Sequence, residues 1–226
     1  MKSAARSDGA SFFGAVQDGV YPPTGGVLKR IFDVSAATIG LIFLSPIFLM
    51  VMLLVKLSSK GPAFYGHRRI GHNGEEFRCL KFRTMVVDGD RILREYLDAN
   101  PKAMEEWKAT RKLQNDPRVT TVGSVLRKLS LDELPQLINI IRGDMSVVGP
   151  RPVVRDELEL YQQAAVYYLK SRPGLTGLWQ ISGRNDVSYQ ARVNFDMHYV
   201  ENWSLLKDVA IIARTIPAVC MQRGSY

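Results

Sequence analysis

The side chains best suited to chemistry lie between Leu126 and Pro152, in LRKLSLDELPQLINIIRGDMSVVGPRP. Asp132 and Glu133 form an adjacent carboxylate pair at the head of an amphipathic run. Arg127 and Lys128 come just before them, and a stiff Gly149-Pro150-Arg151-Pro152 turn comes after. Acids, bases and a rigid turn at this spacing suit phosphate chemistry at a metal ion. The carboxylates would supply hard oxygen ligands, and the arginines would clamp phosphate oxygens.

The run that carries the pair reads as a helix. Leu134, Leu137, Ile138 and Ile141 recur at helical spacing, and Gly143 suits the position just past the last turn. Ser130-x-x-Glu133 has the form of a capping box, which puts Pro135 in or near the first turn, where a missing N–H does least harm. On spacing alone, a helix cap explains the two acids as well as a catalytic role does. Successive helical residues point about 100° apart. The two carboxylates can therefore face different partners, one a metal and one a reacting atom. A cap alone needs neither Arg127 nor Arg151.

The 226 residues are enough for one or two domains with a real core. A net charge of +8 calls for an anionic partner: nucleic acid, nucleotide or anionic membrane. Cys79 and Cys220 make no disulfide framework, which points to a reducing compartment and inert thiols. Residues 1–26, rich in Gly, Ser and Ala, read as a mobile tail without the pattern of a signal peptide.

From Val34 to Val55 the chain carries no charge, and about 22 helical residues could cross a hydrocarbon core of about 30 Å. Ser45-Pro46 interrupts this segment at its middle. Proline removes a backbone hydrogen bond and kinks a helix, and the Ser45 hydroxyl can satisfy a carbonyl so freed. Both flanks are basic, with Lys29 and Arg30 before and Lys56, Lys60, Arg68 and Arg69 after. The positive-inside rule therefore places both flanks on one side. The segment is expected to enter one leaflet, turn at Ser45-Pro46 and return. Asp33 is expected to pair with Lys29 or Arg30 at the interface, or to cap the helix.

Residues 61–84 read as a β-hairpin around Gly71-His72-Asn73-Gly74. Lys56 to Arg83 holds seven Lys or Arg against two acids, a balance suited to anionic headgroups or a lipid phosphate. His67 and His72 read as surface residues. Residues 88–113 read as helices broken at Asn100-Pro101, and 153–169 as a further helix. The stretches Arg172 to Gln180 and Ser182 to Asn185 combine glycines, which let a backbone pass close to a ligand, with arginines, though an ordinary loop fits as well. Neither a Walker loop nor G-x-G-x-x-G is present. From Trp203 to Met221 an amphipathic helix suits either a membrane interface or the core.

Taken together, SLDELPQLINIIRGDMSVVGPRP, RPGLTGLWQISGRND and DMHYVENWSLLKD resemble the bacterial sugar transferases, the small monotopic polyprenyl-phosphate sugar-1-phosphate transferases. The likeness runs from about Lys29 to about Pro217 and is closest to the galactose-phosphate transferases that initiate succinoglycan-type exopolysaccharide synthesis. It implies an α+β, mainly helical fold. A re-entrant membrane helix over 27–60 would be joined to a catalytic domain over 61–226 with a small β-hairpin and interfacial amphipathic helices, on the cytoplasmic face of the bacterial inner membrane.

The resemblance also implies a reaction. A hexose-1-phosphate, galactose or glucose, passes from a UDP-hexose to undecaprenyl phosphate and UMP leaves. Asp132 matches the nucleophile that takes up the phosphosugar, and Glu133 the residue that helps to hold Mg²⁺. Arg127 matches a phosphate-contacting arginine. Arg151 and Arg184 fall in the PRP and GRN motifs and are expected to contact phosphate. Asp196 lies in the third motif without an assigned role. On this reading the anionic partners are nucleotide and lipid rather than nucleic acid, and a homo-oligomer is compatible with it. Two other classes stay open: a membrane-anchored basic binding protein, and a metal-dependent phosphodiesterase with water as acceptor. The first gives no reason for the Asp132-Glu133 pair, and the second no reason for a membrane helix.

Overall fold

The computed structural model describes residues 20–110, 113–182 and 187–220. The fold is α+β and mainly helical, as expected. In chain order the elements begin with α1 (Gly26–Phe43), α2 (Ser45–Ser58), β1 (Phe64–Ile70), β2 (Glu76–Phe82), α3 (Gly89–Ala99), α4 (Pro101–Thr110) and α5 (Thr121–Lys128). A short 3-10 turn, Leu131–Glu133, precedes α6 (Gln136–Arg142) and β3 (Ser146–Val148). There follow α7 (Arg155–Glu159), α8 (Ala165–Leu169), β4 (Gly174–Thr176), α9 (Leu178–Ile181), α10 (Tyr189–Glu201) and α11 (Leu205–Cys220).

The apolar segment breaks where the sequence places the break. No single described helix is long and apolar enough to cross a membrane, but α1 and α2 together are, and they meet at a bend of 66°. Ser45 Oγ donates to Ile42 O at 2.7 Å, so the hydroxyl takes up a carbonyl at the bend. Ile39, Ile42, Phe43, Leu49, Leu53 and Leu57 stand exposed on the two arms. Of the tail expected over 1–26, residues 1–19 lie outside the described residues. Its end is tied down, with Thr24 N and Oγ1 donating to Lys170 O and Tyr21 N to Asn73 Oδ1.

The hairpin forms as read. β1 and β2 pair antiparallel from Phe64↔Phe82 to Ile70↔Glu76, and Asn73 and Gly74 take the positive φ that the turn needs. Asn139 then fastens β2 to α6. Its Oδ1 accepts from Leu80 N at 2.9 Å, and its Nδ2 donates to Arg78 O and Asp144 Oδ2, both at 2.9 Å. Around this clamp Ala37, Cys79, Leu137, Ile140 and Met145 are buried together. A second cluster under the bend joins Val51 and Val55 to Phe82 and Leu126. The bent apolar pair α1–α2 and the stretch that carries Asp132 and Glu133 are therefore built on one packed base.

The helix read over 153–169 is broken instead into α7, a 3-10 turn at Gln162–Ala164, and α8. Gln162 has φ +48° at the break, and the break lets Tyr161 and Tyr168 meet edge to face in the core at 5.5 Å.

The pairing of β3 with β4 was not visible in the sequence. They run parallel, with Ser146 opposite Gly174 and Val148 opposite Thr176. Gly149 N donates to Thr176 O at 2.9 Å, and Gly174 N to Pro150 O at 2.7 Å. A Cβ on Gly149 would lie 2.4 Å from Arg172 O, and one on Gly174 would lie 2.1 Å from Gly149 N. These glycines let two motifs close on each other.

Candidate active site

The carboxylates do not sit in the helix that was expected to carry them. Asp132 and Glu133 occupy the 3-10 turn ahead of α6, and Pro135 precedes the first residue of that helix. Ser130 takes φ +56° and makes no side-chain cap, so the capping box does not form. Glu133 reaches the hairpin instead, where its Oε1 lies 2.6 Å from Lys81 Nζ. Asp132 Oδ2 lies 3.9 Å from the same nitrogen. Both acids lie within reach of one ammonium, because Lys81 projects from β2 toward the turn that carries them. The face of α6 that turns inward is Gln136, Leu137, Asn139 and Ile140, while Leu134, Ile138 and Ile141 are only half-buried. Gly143 ends the helix at φ +106°, as expected.

Asp132 is buried, and burial pushes its carboxyl above the usual range. The nearby Lys81 and Arg127 charges pull it back down, while Glu133 pushes it further up. Arg127 is steered by the chain that follows β2, its Nε donating to Thr84 Oγ1 at 2.9 Å. Residues from several segments line a cleft, including Arg69, Lys81, Glu133, Gln136, Arg151 and Gln180. Arg151 is placed there by the β3–β4 pairing that fixes the turn around it. The cleft therefore offers Glu133, with Asp132 beside it, among several cations, a setting for an anionic, phosphate-bearing ligand.

Glu133 and Asp132 are the carboxylates that could hold a metal ion here, and among the described residues no group of three or more His, Cys, Asp or Glu is placed to hold one. Two carboxylates are a donor set for magnesium, which completes its shell with water and substrate phosphates. The Lys81 ammonium occupies the place of a cation beside them.

Of the expected site residues, the structure brings Glu133 and Arg151 to the cleft, sets Asp132 next to it within 3.9 Å of Lys81, and sets Arg127 near Asp132. Arg184 lies outside the described residues. Ser45 and Pro46 form the bend. Lys29, Arg30 and Asp33, expected at a lipid interface, are turned into the protein. Lys29 and Asp33 are buried, and Lys29 Nζ lies 3.4 Å from Asp33 Oδ1 and 2.8 Å from Asp208 Oδ2. Tyr199 Oη and Trp203 Nε1 also donate to Asp208, at 2.7 and 3.0 Å. Arg30 donates to the carbonyls of Ile140 and Ile141 at the end of α6, where a cation complements the helix dipole. The Lys29–Asp33 pair thus forms, but as part of a joint between α1 and α11. Trp203, a candidate interface residue, belongs to that joint too.

Sequence reasoning missed Lys81 and Arg69. Both were counted among the basic residues assigned to headgroups, yet they alternate with Cys79 on the inward face of the hairpin. Lys56, Lys60, Arg68 and Arg78 do stay exposed. The period of two along β2 could have separated the groups, had the buried face been known. Cys79 also lines the cleft; burial lifts its thiol to about 11, which leaves it unreactive as expected. The Cys220 side chain lies outside the described residues. Asp196 is buried in the core, where its Oδ2 accepts from Tyr161 Oη at 2.8 Å.

Comparison with known proteins agrees with the sequence resemblance. The family model described as bacterial sugar transferase matches residues 24–222. The chain is 69% identical over 226 residues to the exopolysaccharide production protein ExoY of Sinorhizobium fredii, covering 100% of both chains. The protein of the same name in Rhizobium meliloti is 68% identical over the same span, again covering 100% of both. The undecaprenyl-phosphate galactose phosphotransferase of Salmonella typhimurium is 50% identical over 212 residues, 93% of this chain and 44% of that protein. The chain belongs to the bacterial sugar transferase family.

Proposed function

From that membership we propose that the protein transfers a hexose-1-phosphate, galactose or glucose, from a UDP-hexose to undecaprenyl phosphate, and so starts assembly of an exopolysaccharide repeat unit. The observation that carries this reading is the convergence of Asp132, Glu133 and Lys81 at a cation-lined cleft, on the same packed base as a bent apolar helix pair. The names of the Rhizobium and Salmonella relatives point to the same pathway and acceptor.

In this proposal the Asp132 carboxylate attacks the phosphorus that bears the sugar, and the bond to UMP breaks with its electron pair going to UMP. The phosphosugar is then held on Asp132 as an acyl phosphate. An oxygen of undecaprenyl phosphate attacks the same phosphorus, and the Asp132 carboxylate leaves. Arg127, Arg69 and Arg151 orient the diphosphate and neutralise its charge. Glu133, with Asp132 beside it, would hold Mg²⁺, which supplies further charge neutralisation at the phosphates. The bent pair α1–α2 would dip into the inner leaflet from the cytoplasmic side, placing the lipid phosphate beside the cleft. The apolar residues exposed along both arms support that placement, as does the hydrogen-bonded bend at Ser45-Pro46.

The test is UMP release over a panel of UDP-sugars, with Mg²⁺ and undecaprenyl phosphate each omitted in turn. Sustained release should need both, with no more than about one UMP per enzyme appearing when the lipid is omitted, and one hexose should dominate. Continuous turnover without the lipid would make the protein a hydrolase.

A further inference from the structure

We propose that Lys81 holds the cation position between Asp132 and Glu133 until the metal arrives, and that metal entry transfers its ammonium to the donor's phosphates. The inference rests on the reading of Glu133 as a metal ligand and adds a role for a residue outside that reading.

Geometry supplies the first half. The Lys81 ammonium lies 2.6 Å from Glu133 and 3.9 Å from Asp132, close enough to satisfy one acid in full and the other in part. A divalent ion that binds Glu133 would sit within a few ångströms of the Lys81 ammonium, so the two cations repel and compete for the carboxylate. Charge balance supplies the second half. Without metal, Lys81 is the cation that reaches both carboxylates, with Arg127 also near Asp132. With a divalent ion the carboxylates are neutralised, and Lys81 is left as surplus positive charge on the wall it shares with Arg69 and Arg151. A diphosphate is the ligand that such a wall would hold. Lysine is suited to the transfer, being a point charge on a flexible stem with rotatable donors, where arginine would be a fixed fork. The arrangement makes metal and nucleotide binding mutually supporting: the metal releases a phosphate ligand, and the phosphate keeps that ligand from returning to Glu133.

Two measurements on the full-length protein test this, neither of which needs turnover. Mn²⁺, which shares the preference of Mg²⁺ for oxygen ligands, is titrated into wild type and Lys81→Met without nucleotide or lipid, and free Mn²⁺ is followed by electron paramagnetic resonance. Loss of the competing charge should tighten Mn²⁺ binding by about tenfold or more. Equal or weaker binding by the variant would overturn the proposal. The second measurement uses wild type alone and so does not depend on the variant folding. Lysines are pulse-labelled with an acetylating reagent with and without Mg²⁺, and labelled peptides are quantified by mass spectrometry. Labelling of Lys81 should rise severalfold with Mg²⁺, while the exposed Lys56 and Lys60 stay level. Unchanged labelling of Lys81 in enzyme that releases UMP would end this inference and leave the transferase reading intact. Failure of lipid-dependent UMP release, with the labelling change present, would do the reverse.

Discussion

The protein builds two clusters from the same kinds of side chain and uses them oppositely. In the joint between α1 and α11, Lys29 lies between Asp33 and Asp208, and Tyr199 and Trp203 complete the coordination of Asp208. All three ionised groups are buried. At the cleft, Lys81 lies 2.6 Å from Glu133 and 3.9 Å from the buried Asp132, and the Lys81 and Glu133 side chains are partly open to solvent. Full enclosure makes a charged cluster a structural pin. A cluster that solvent reaches can exchange its cation and bind an anion. What separates the two is enclosure rather than composition.

The sharpest way to break this comparison is Asp132→Asn. We expect lipid-dependent UMP release to fall about a thousandfold or more, because a carboxamide cannot take up the phosphosugar. Thermal stability should hold or rise slightly, since the variant removes a carboxylate that burial disfavours. A variant with near-normal turnover would remove Asp132 from the chemistry. The reciprocal change is Lys29→Met in the joint. It leaves two buried carboxylates uncompensated and should cost about 3–5 kcal/mol in urea unfolding, with turnover per folded molecule unchanged. A small loss of stability with a large loss of turnover would assign the joint to the site.

Asp196 extends the comparison to a buried acid whose one hydrogen bond given by the structure comes from the Tyr161 hydroxyl and not from a cation. Burial lifts its carboxyl to about 7, against the opposing pull of that hydrogen bond. A carboxyl raised on folding stabilises fully below its unfolded value, and the benefit is lost as pH rises through the folded value. Wild type should therefore lose stability relative to Asp196→Asn between about pH 4 and about pH 7, and the difference should level off above that window. Parallel stability profiles for the two proteins would show that Asp196 does not titrate there. The smallest expected effect concerns the support between the clusters. Asn139→Ala strands the Leu80 amide and the Arg78 carbonyl beside Lys81, and should cost about 1–3 kcal/mol. It should also reduce turnover by loosening β2, and an unchanged melting temperature would count against the clamp.

How much of this could be read from the chain varied by element. The Ser45-Pro46 bend was legible because proline imposes its geometry locally, and the Ser45 hydroxyl acts three residues away on Ile42. The hairpin was legible from Asn73-Gly74 for the same reason. The capping box at Ser130 was a false signal, since Glu133 had a stronger partner in Lys81, 52 residues back along the chain. Lys29 and Asp33 were legible as a pair at i, i+4, but not as buried ones, because their enclosure depends on Asp208, 179 residues away from Lys29.

The sequence by itself determined the local geometry: where helices bend and end, where the hairpin turns, and which motifs carry acids and arginines. It also carried the family resemblance that names the chemistry. Only the tertiary structure decided which charges face the cleft and which are pinned inside, and that two glycine-rich motifs are one parallel pair. The physical reason is range. Backbone preferences act within a few residues, whereas desolvation and ion pairing act between whatever side chains the packed fold brings together.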